Sequence, residues 1–237
     1  MAPVPVNEAN RPDTFLAAAD RIDASLDSDL SSLADGARLV RHFAQSGFHK
    51  AHRHLTELAY YTLHVSVETE AFLMTAFRQP HRREVWEKYL ALVLVEAVET
   101  VPKLSNRLSG ALHRNQQAAD AGEPFVSLPF RVKAFREMDS AYRQVATSVR
   151  QDEDYEAIKR VRNSVAAHHL GRGGDMAPLV TWTLVMHGQQ VSEPPTPTGP
   201  IIRLSERVAK AANAYGHGLV ALVIRAGTGP PDSRGRG

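Results

Sequence analysis

Three observations predict an all-α protein, a helical bundle of about six to seven helices. Apolar residues recur at intervals of three and four along most of the 237 residues, the spacing that lines one face of a helix. Proline and glycine gather between those stretches, where they act as breakers. Only Leu179–Met186 is rich in β-branched and aromatic residues, and this possible short β segment near 179–186 has no obvious partner strand.

Taken in order, residues 1–11 are expected to be a disordered N-terminus, followed by a single helical domain over 12–226. Phe15, Ala19, Ile22 and Leu26 mark a first helical face. Leu30, Leu33, Ala37, Val40 and Ala44 mark a second, with Asp29 as its expected N-cap and Gly47 as its stop. A third segment over 49–78 carries Leu55, Leu58, Thr62, Val65 and Phe72 before Pro80 ends it. The pattern resumes from Arg82 to His113 through Trp86, Tyr89, Val93 and Ala97, with a kink or break expected at Pro102. Residues 120–124 read as a loop.

The next helix, over about 130–150, places Val132, Phe135, Met138, Tyr142, Val145 and Val149 on one side. Another follows at once, with Asp152 as expected N-cap and with Glu153 and Asp154 in the first turn, where acid suits the helix dipole. It runs through Ile158 and Val161 toward His168 and His169, and Gly171, Gly173 and Gly174 stop it. The proline-rich stretch 193–200 reads as a linker. A last helix over about 201–225 uses Leu204, Val208, Ala211, Tyr215, Leu219 and Leu222, and residues 227–237 read as a disordered tail.

Composition narrows the function classes. No cysteine is present, which excludes disulfide stapling and thiol chemistry. Met1–Asn7 lacks a basic start followed by an apolar run, so no signal peptide is expected and the expected compartment is the cytoplasm. The most apolar windows, Leu90–Val95 and Leu219–Ile224, are too short to span a bilayer, so no membrane partner is expected. Arginine outnumbers lysine 22 to 6, a bias that suits bidentate phosphate contacts but also follows from an arginine-rich genome.

Charge distribution is more informative. Residues 36–56 contain no acid but hold Arg38, Arg41, Lys50 and Arg53 among four histidines. Residues 101–119 are also free of acid and carry Lys103, Arg107, His113 and Arg114. Such runs are either nucleic-acid footprints or solvated helix faces. Arg38, Arg41, Lys50 and Arg53 are the candidate nucleic-acid-contacting cations.

One string concentrates chemistry: Arg162-Asn163-Ser164-Val165-Ala166-Ala167-His168-His169. Ile158, Val161 and Val165 define an apolar stripe, and Arg162 and His169 fall on that face. Buried charge needs a partner, so a guanidinium there implies either a functional site or a specific ion pair. Arg162 then pairs with Glu156 or a neighbouring helix, and the histidines cap the helix C-terminus.

The arginine, the polar residue after it and a histidine five or six residues on, near a helix end, resemble the motif of HEPN domains. These are helical bundles, many of them ribonucleases of toxin–antitoxin, abortive-infection and CRISPR-associated systems. The wording of Arg162, Asn163, His168 and His169 most resembles the abortive-infection branch. The resemblance covers about 18 residues. It implies metal-independent RNA cleavage through a 2′,3′-cyclic phosphate, with no cofactor, in a toxin or phage-defence role.

On that reading Arg162 neutralises charge on the phosphoryl oxygens. His168 or His169 serves as general base or acid, and Asn163 orients the histidine or the phosphate. The resemblance also implies a homodimer whose two motifs face each other, and a possible antitoxin protein as partner.

Two other classes remain. One is a non-catalytic helical module that binds a nucleotide or protein. The other is a metal-binding bundle, in which His49 and His52 stand one turn apart and His64 or His42 adds a third ligand. Lys50 and Arg53 would repel a cation there, so no metal residue is assigned.

Overall fold

The computed structural model describes residues 13–45, 50–79, 83–123, 132–163 and 198–227. Within them the chain is all-helical: α1 (Asp13–Gln45), α2 (Lys50–Arg78), α3 (Arg83–Asp120), α4 (Val132–Arg150), α5 (Tyr155–Val161) and α6 (Thr198–Gly227). The expected β segment near 179–186 and both expected disordered ends lie outside the described residues, apart from Gly227, which closes α6.

Long-range contacts set the direction of each helix. Arg78 bonds Asp20 and Asp23 at one end of the α1–α2 pair, while Gly36 lies against Tyr60 further along, so α1 and α2 are antiparallel. Phe72 stacks on Tyr89, and Tyr61 reaches Glu96, so α3 runs back along α2. Ser105 meets Asp139 and Arg150 meets Val98, which makes α4 antiparallel to α3. Arg207 bonds Ser148 and Tyr215 bonds Asp139, so α6 opposes α4 in turn. Helices α2, α3, α4 and α6 thus form an up-and-down four-helix bundle, with α1 packed along α2 and α5 lying on α3.

One apolar core joins all six helices. It holds Ala19 of α1, Leu55, Leu58 and Leu73 of α2, Leu90, Leu94 and Leu108 of α3, Phe135 and Val149 of α4, Tyr155 and Ile158 of α5, and Leu204 and Leu219 of α6. Each fully buried side chain of this size contributes about 1.5–3 kcal/mol. Close packing shows at Gly216, where an added Cβ would stand 2.7 Å from Leu63 Cδ2 and 3.2 Å from the Leu63 amide nitrogen. The helices α2 and α6 need a residue without a Cβ at that approach.

Two expectations are corrected in α1 and α3. The expected helix start at Asp29 does not exist, because α1 runs unbroken from Asp13 to Gln45. Asp29 is 4% exposed and mid-helix, where its carboxylate accepts hydrogen bonds from Asn213 Nδ2 at 2.8 Å and His217 Nε2 at 2.9 Å. The residue type that suits a cap is used instead as a buried acceptor for α6.

Pro102 does not end α3, which continues to Asp120. Proline lacks the N–H that would bond the carbonyl four residues back, and Arg150 Nη2 supplies a donor to that Val98 carbonyl at 3.1 Å. Tyr142 Oη donates to the preceding carbonyl, Ala97, at 2.9 Å. Arg143 Nη2 donates to the carbonyl of Pro102 itself at 3.2 Å. Three side chains of α4 therefore serve α3 around its proline, and this fixes α4 against α3 just above the point where α5 begins.

Candidate functional site

The turn from α4 to α5 delivers Arg162. Asp152 was expected to cap the helix; instead the helix opens at Tyr155 after Asp154, whose side chain makes no cap bond. Asp152 accepts the Asp154 N–H at 3.2 Å and both terminal nitrogens of Arg203, at 2.8 and 3.2 Å. That pairing ties the turn to α6 and holds the Asp152 carboxyl below its ordinary range. Tyr155 and Ile158, 2% and 0% exposed, then anchor α5 in the core. Burial, with Glu99 nearby, pushes the Tyr155 phenol up to about 12.

Two ion pairs one turn apart lock α5 onto α3. Lys159 Nζ lies 2.8 Å from Glu99 Oε1, and Arg162 Nη2 pairs with Glu96 Oε1. Residue numbers rise along α5 as they fall along α3, so the helices are antiparallel. After Val161 the chain widens at Arg162 and Asn163 into a turn with the longer π-type spacing, a feature often found at functional sites.

Glu96 is the hub of the site. Its Oε1 meets Arg162, while its Oε2 accepts from Thr100 Oγ1 at 2.9 Å and Tyr61 Oη at 3.4 Å. Burial pulls the Glu96 carboxyl up, but the bonds from Arg162, Thr100 and Tyr61 outweigh it and hold the group below its ordinary range. Arg162 Nη1 donates to Asn163 Oδ1 at 2.9 Å, and its Nε is buried without a partner among the described residues. The Arg162 side chain is 25% exposed. The guanidinium is thus bonded through both terminal nitrogens, to Asn163 and to Glu96.

Of the four motif residues, Arg162 and Asn163 come together; His168 and His169 lie outside the described residues. Arg162 pairs across to α3 rather than with Glu156 on its own helix. Ile158, the one residue of the apolar stripe whose burial is described, is fully buried within this chain, so no partner subunit is needed to bury it. Tyr61, Glu96 and Thr100 were not singled out from sequence. The available signal was the spacing of Glu96 and Glu99, three apart, matching that of Lys159 and Arg162.

The other candidate cations stand apart from this cluster. Arg38 pairs with Asp35 at 2.8 Å and Arg53 with Glu57 at 2.8 Å, while Arg41 and Lys50 are exposed. His54 and His64 lie beside Glu57 and Glu68, and His49 is outside the described residues. Among the described residues no group of three or more His, Asp or Glu side chains is placed to hold a metal ion. No described helix is long and apolar enough to cross a membrane. An open hollow of about 490 Å³ runs along α4 between Arg136 and Gln151, and none of the Arg162 cluster lines it.

Comparison with known proteins leaves the site to its own chemistry. No family model, curated protein or solved structure matches the chain. The local resemblance of the Arg162 motif to HEPN domains therefore rests on those residues and on the all-helical bundle that presents them.

Proposed function

We propose that the chain is a metal-independent endoribonuclease of HEPN type, acting in a toxin or phage-defence role in the cytoplasm. The observation that carries the reading is the state of Arg162: a guanidinium at a helix end, oriented by Glu96 and Asn163, on a side chain that is one quarter exposed. Such a fork matches the geometry of a phosphodiester and needs little reorganisation to bind one.

In the proposed reaction the RNA 2′-oxygen attacks the adjacent phosphorus as its P–O5′ bond breaks. The products are a 2′,3′-cyclic phosphate and a 5′-hydroxyl. Arg162 stabilises the charge on the non-bridging oxygens. His168 or His169 takes the 2′ proton, and an acid returns one to the leaving 5′-oxygen. Asn163, bonded to Arg162 Nη1, also helps to hold the arginine, and its orienting of the histidine or the phosphate belongs to the same reading. RNA is the partner; a homodimer that sets two motifs face to face, and an antitoxin protein, belong to the same reading. Sedimentation at micromolar concentration checks the dimer, and a strict monomer counts against it.

A second reading, a non-catalytic binding module, is favoured by the pairing of Arg162 with Glu96 beside that of Lys159 with Glu99, since two such pairs suffice to dock α5. RNA incubation in EDTA separates the readings: cleavage by wild type but not by a folded Arg162→Ala variant supports the ribonuclease, and intact RNA with both supports the module.

A further inference from the structure

The fold brings Lys50 of one acid-free run, and Lys103, Arg107 and Arg114 of the other, toward one end of the bundle, on the two helices that supply Tyr61 and Glu96 to the Arg162 site. On α3, Glu96, Lys103, Arg107 and Arg114 fall within about 40° of one another at 100° per residue. Glu96 holds Arg162, and the three cations are exposed. At 1.5 Å per residue they stand about 10, 16 and 27 Å beyond Glu96 along the helix. No acid occurs between Val101 and Ala119, and Gly110 leaves the strip low between Arg107 and Arg114.

Helix α2 supplies the opposite bank. Tyr61 meets Glu96 and the two helices are antiparallel. Lys50 lies eleven residues before Tyr61, and Arg107 eleven after Glu96, so both are about 16 Å from the site in the same direction. Lys50 is within about 20° of Tyr61 around its helix and is exposed. With helix axes about 8–10 Å apart, Lys50 and Arg107 flank one groove between α2 and α3, and the carboxylate on its α2 side, Glu57, is paired with Arg53 and His54.

We infer that this groove, from Arg162 along Lys103, Arg107 and Arg114 with Lys50 opposite, is the track for the phosphodiester backbone of single-stranded RNA. The inference rests on the ribonuclease reading for the sugar and on charge complementarity for the backbone. A linear row of cations leading to a fixed guanidinium suits an extended polyphosphate chain. It does not suit a lipid surface, for which apolar residues should accompany the cations. Among the described residues the exposed large apolar side chains are Leu30 and Tyr89. Tyr89 lies toward the far end of the bundle, and Leu30 is on α1.

The test uses a fluorescent 2′-O-methyl RNA of about 12 nucleotides, within the span of one such site, which binds but offers no 2′-hydroxyl for cleavage. Anisotropy titrations over a salt series compare wild type with Lys103→Gln/Arg107→Gln/Arg114→Gln. A control, Lys133→Gln/Arg136→Gln/Lys210→Gln, removes equal charge elsewhere. All six residues are exposed, and circular dichroism checks each fold. The track predicts at least about a 30-fold loss in the first variant, a log–log salt slope shallower by about 2, and less than about a threefold change in the control. Equal losses in both variants overturn the inference, as does binding to phosphatidylserine vesicles without binding to RNA, or no RNA binding at all. If the predicted pattern appears while unmodified RNA stays intact, the track stands and the ribonuclease reading fails.

Discussion

Glu70 makes the fold's stability depend on pH in the direction opposite to an ordinary carboxylate. It stands on α2 against Asp29 of α1, with Asn213 and His217 of α6 donating to Asp29 and Ser66 Oγ donating to Glu70 Oε1 at 3.3 Å. Its Oε2 is buried without a donor among the described residues. Burial and the Asp29 charge push the Glu70 carboxyl up to about 7 from an ordinary 4.5, so Glu70 holds its proton further into the neutral range than a solvated carboxyl does. Because the folded value lies above the unfolded one, the stabilisation is complete below pH 4.5 and is lost as pH rises through about 7.

The full shift corresponds to about 3 kcal/mol, and solvent screening at a half-buried carboxyl lowers that to about 1–2 kcal/mol. Glu70→Gln keeps a neutral donor beside Asp29 at every pH. The variant should match wild type at low pH and melt about 2–8 °C higher at pH 8.5, given about 2–4 °C per kcal/mol for a chain of this size. Thermal melts by circular dichroism across that range decide the matter. Subtracting the two profiles removes the contributions of the groups common to both. A pH-independent difference, or a variant less stable at pH 8.5, would refute the raised Glu70 carboxyl as the cause.

Further outcomes follow from packing and pairing. Gly216→Ala must push Leu63 aside or part α2 from α6, and urea denaturation should show a loss of about 1–3 kcal/mol. Arg150→Ala strips the Val98 carbonyl of its donor and should cost about 1–2 kcal/mol; in a Pro102→Ala background, where a backbone N–H returns, the same change should cost at least about 0.5 kcal/mol less. Glu96→Gln should cost about 0.5–1 kcal/mol at neutral pH. Because the Glu96 carboxyl is held below its ordinary range, that cost is present above pH 4.5 and should vanish as acid protonates the wild-type carboxyl.

The helices were legible because their apolar faces repeat locally. Leu55, Leu58 and Val65 of α2, and Phe135, Tyr142 and Val149 of α4, are buried as their spacing requires. What sequence did not reveal depends on distant partners. Asp29 reads as a cap until Asn213, 184 residues away, is seen to donate to it. Pro102 reads as a break until Arg150 and Tyr142 are seen to serve the carbonyls around it. At the site, Arg162 was legible as a charge on an apolar face, and that placement did require a partner. Its identity, Glu96, was hidden by a separation of 66 residues, and Tyr61 and Thr100 became visible only through Glu96.

The most direct test of the central claim is incubation of purified protein with total RNA and tRNA in EDTA, beside an Arg162→Ala variant shown by circular dichroism to be folded. The account predicts cleavage by wild type alone, with 2′,3′-cyclic phosphate and 5′-hydroxyl ends. Intact RNA with the folded wild type, or equal cleavage by the variant, would contradict it.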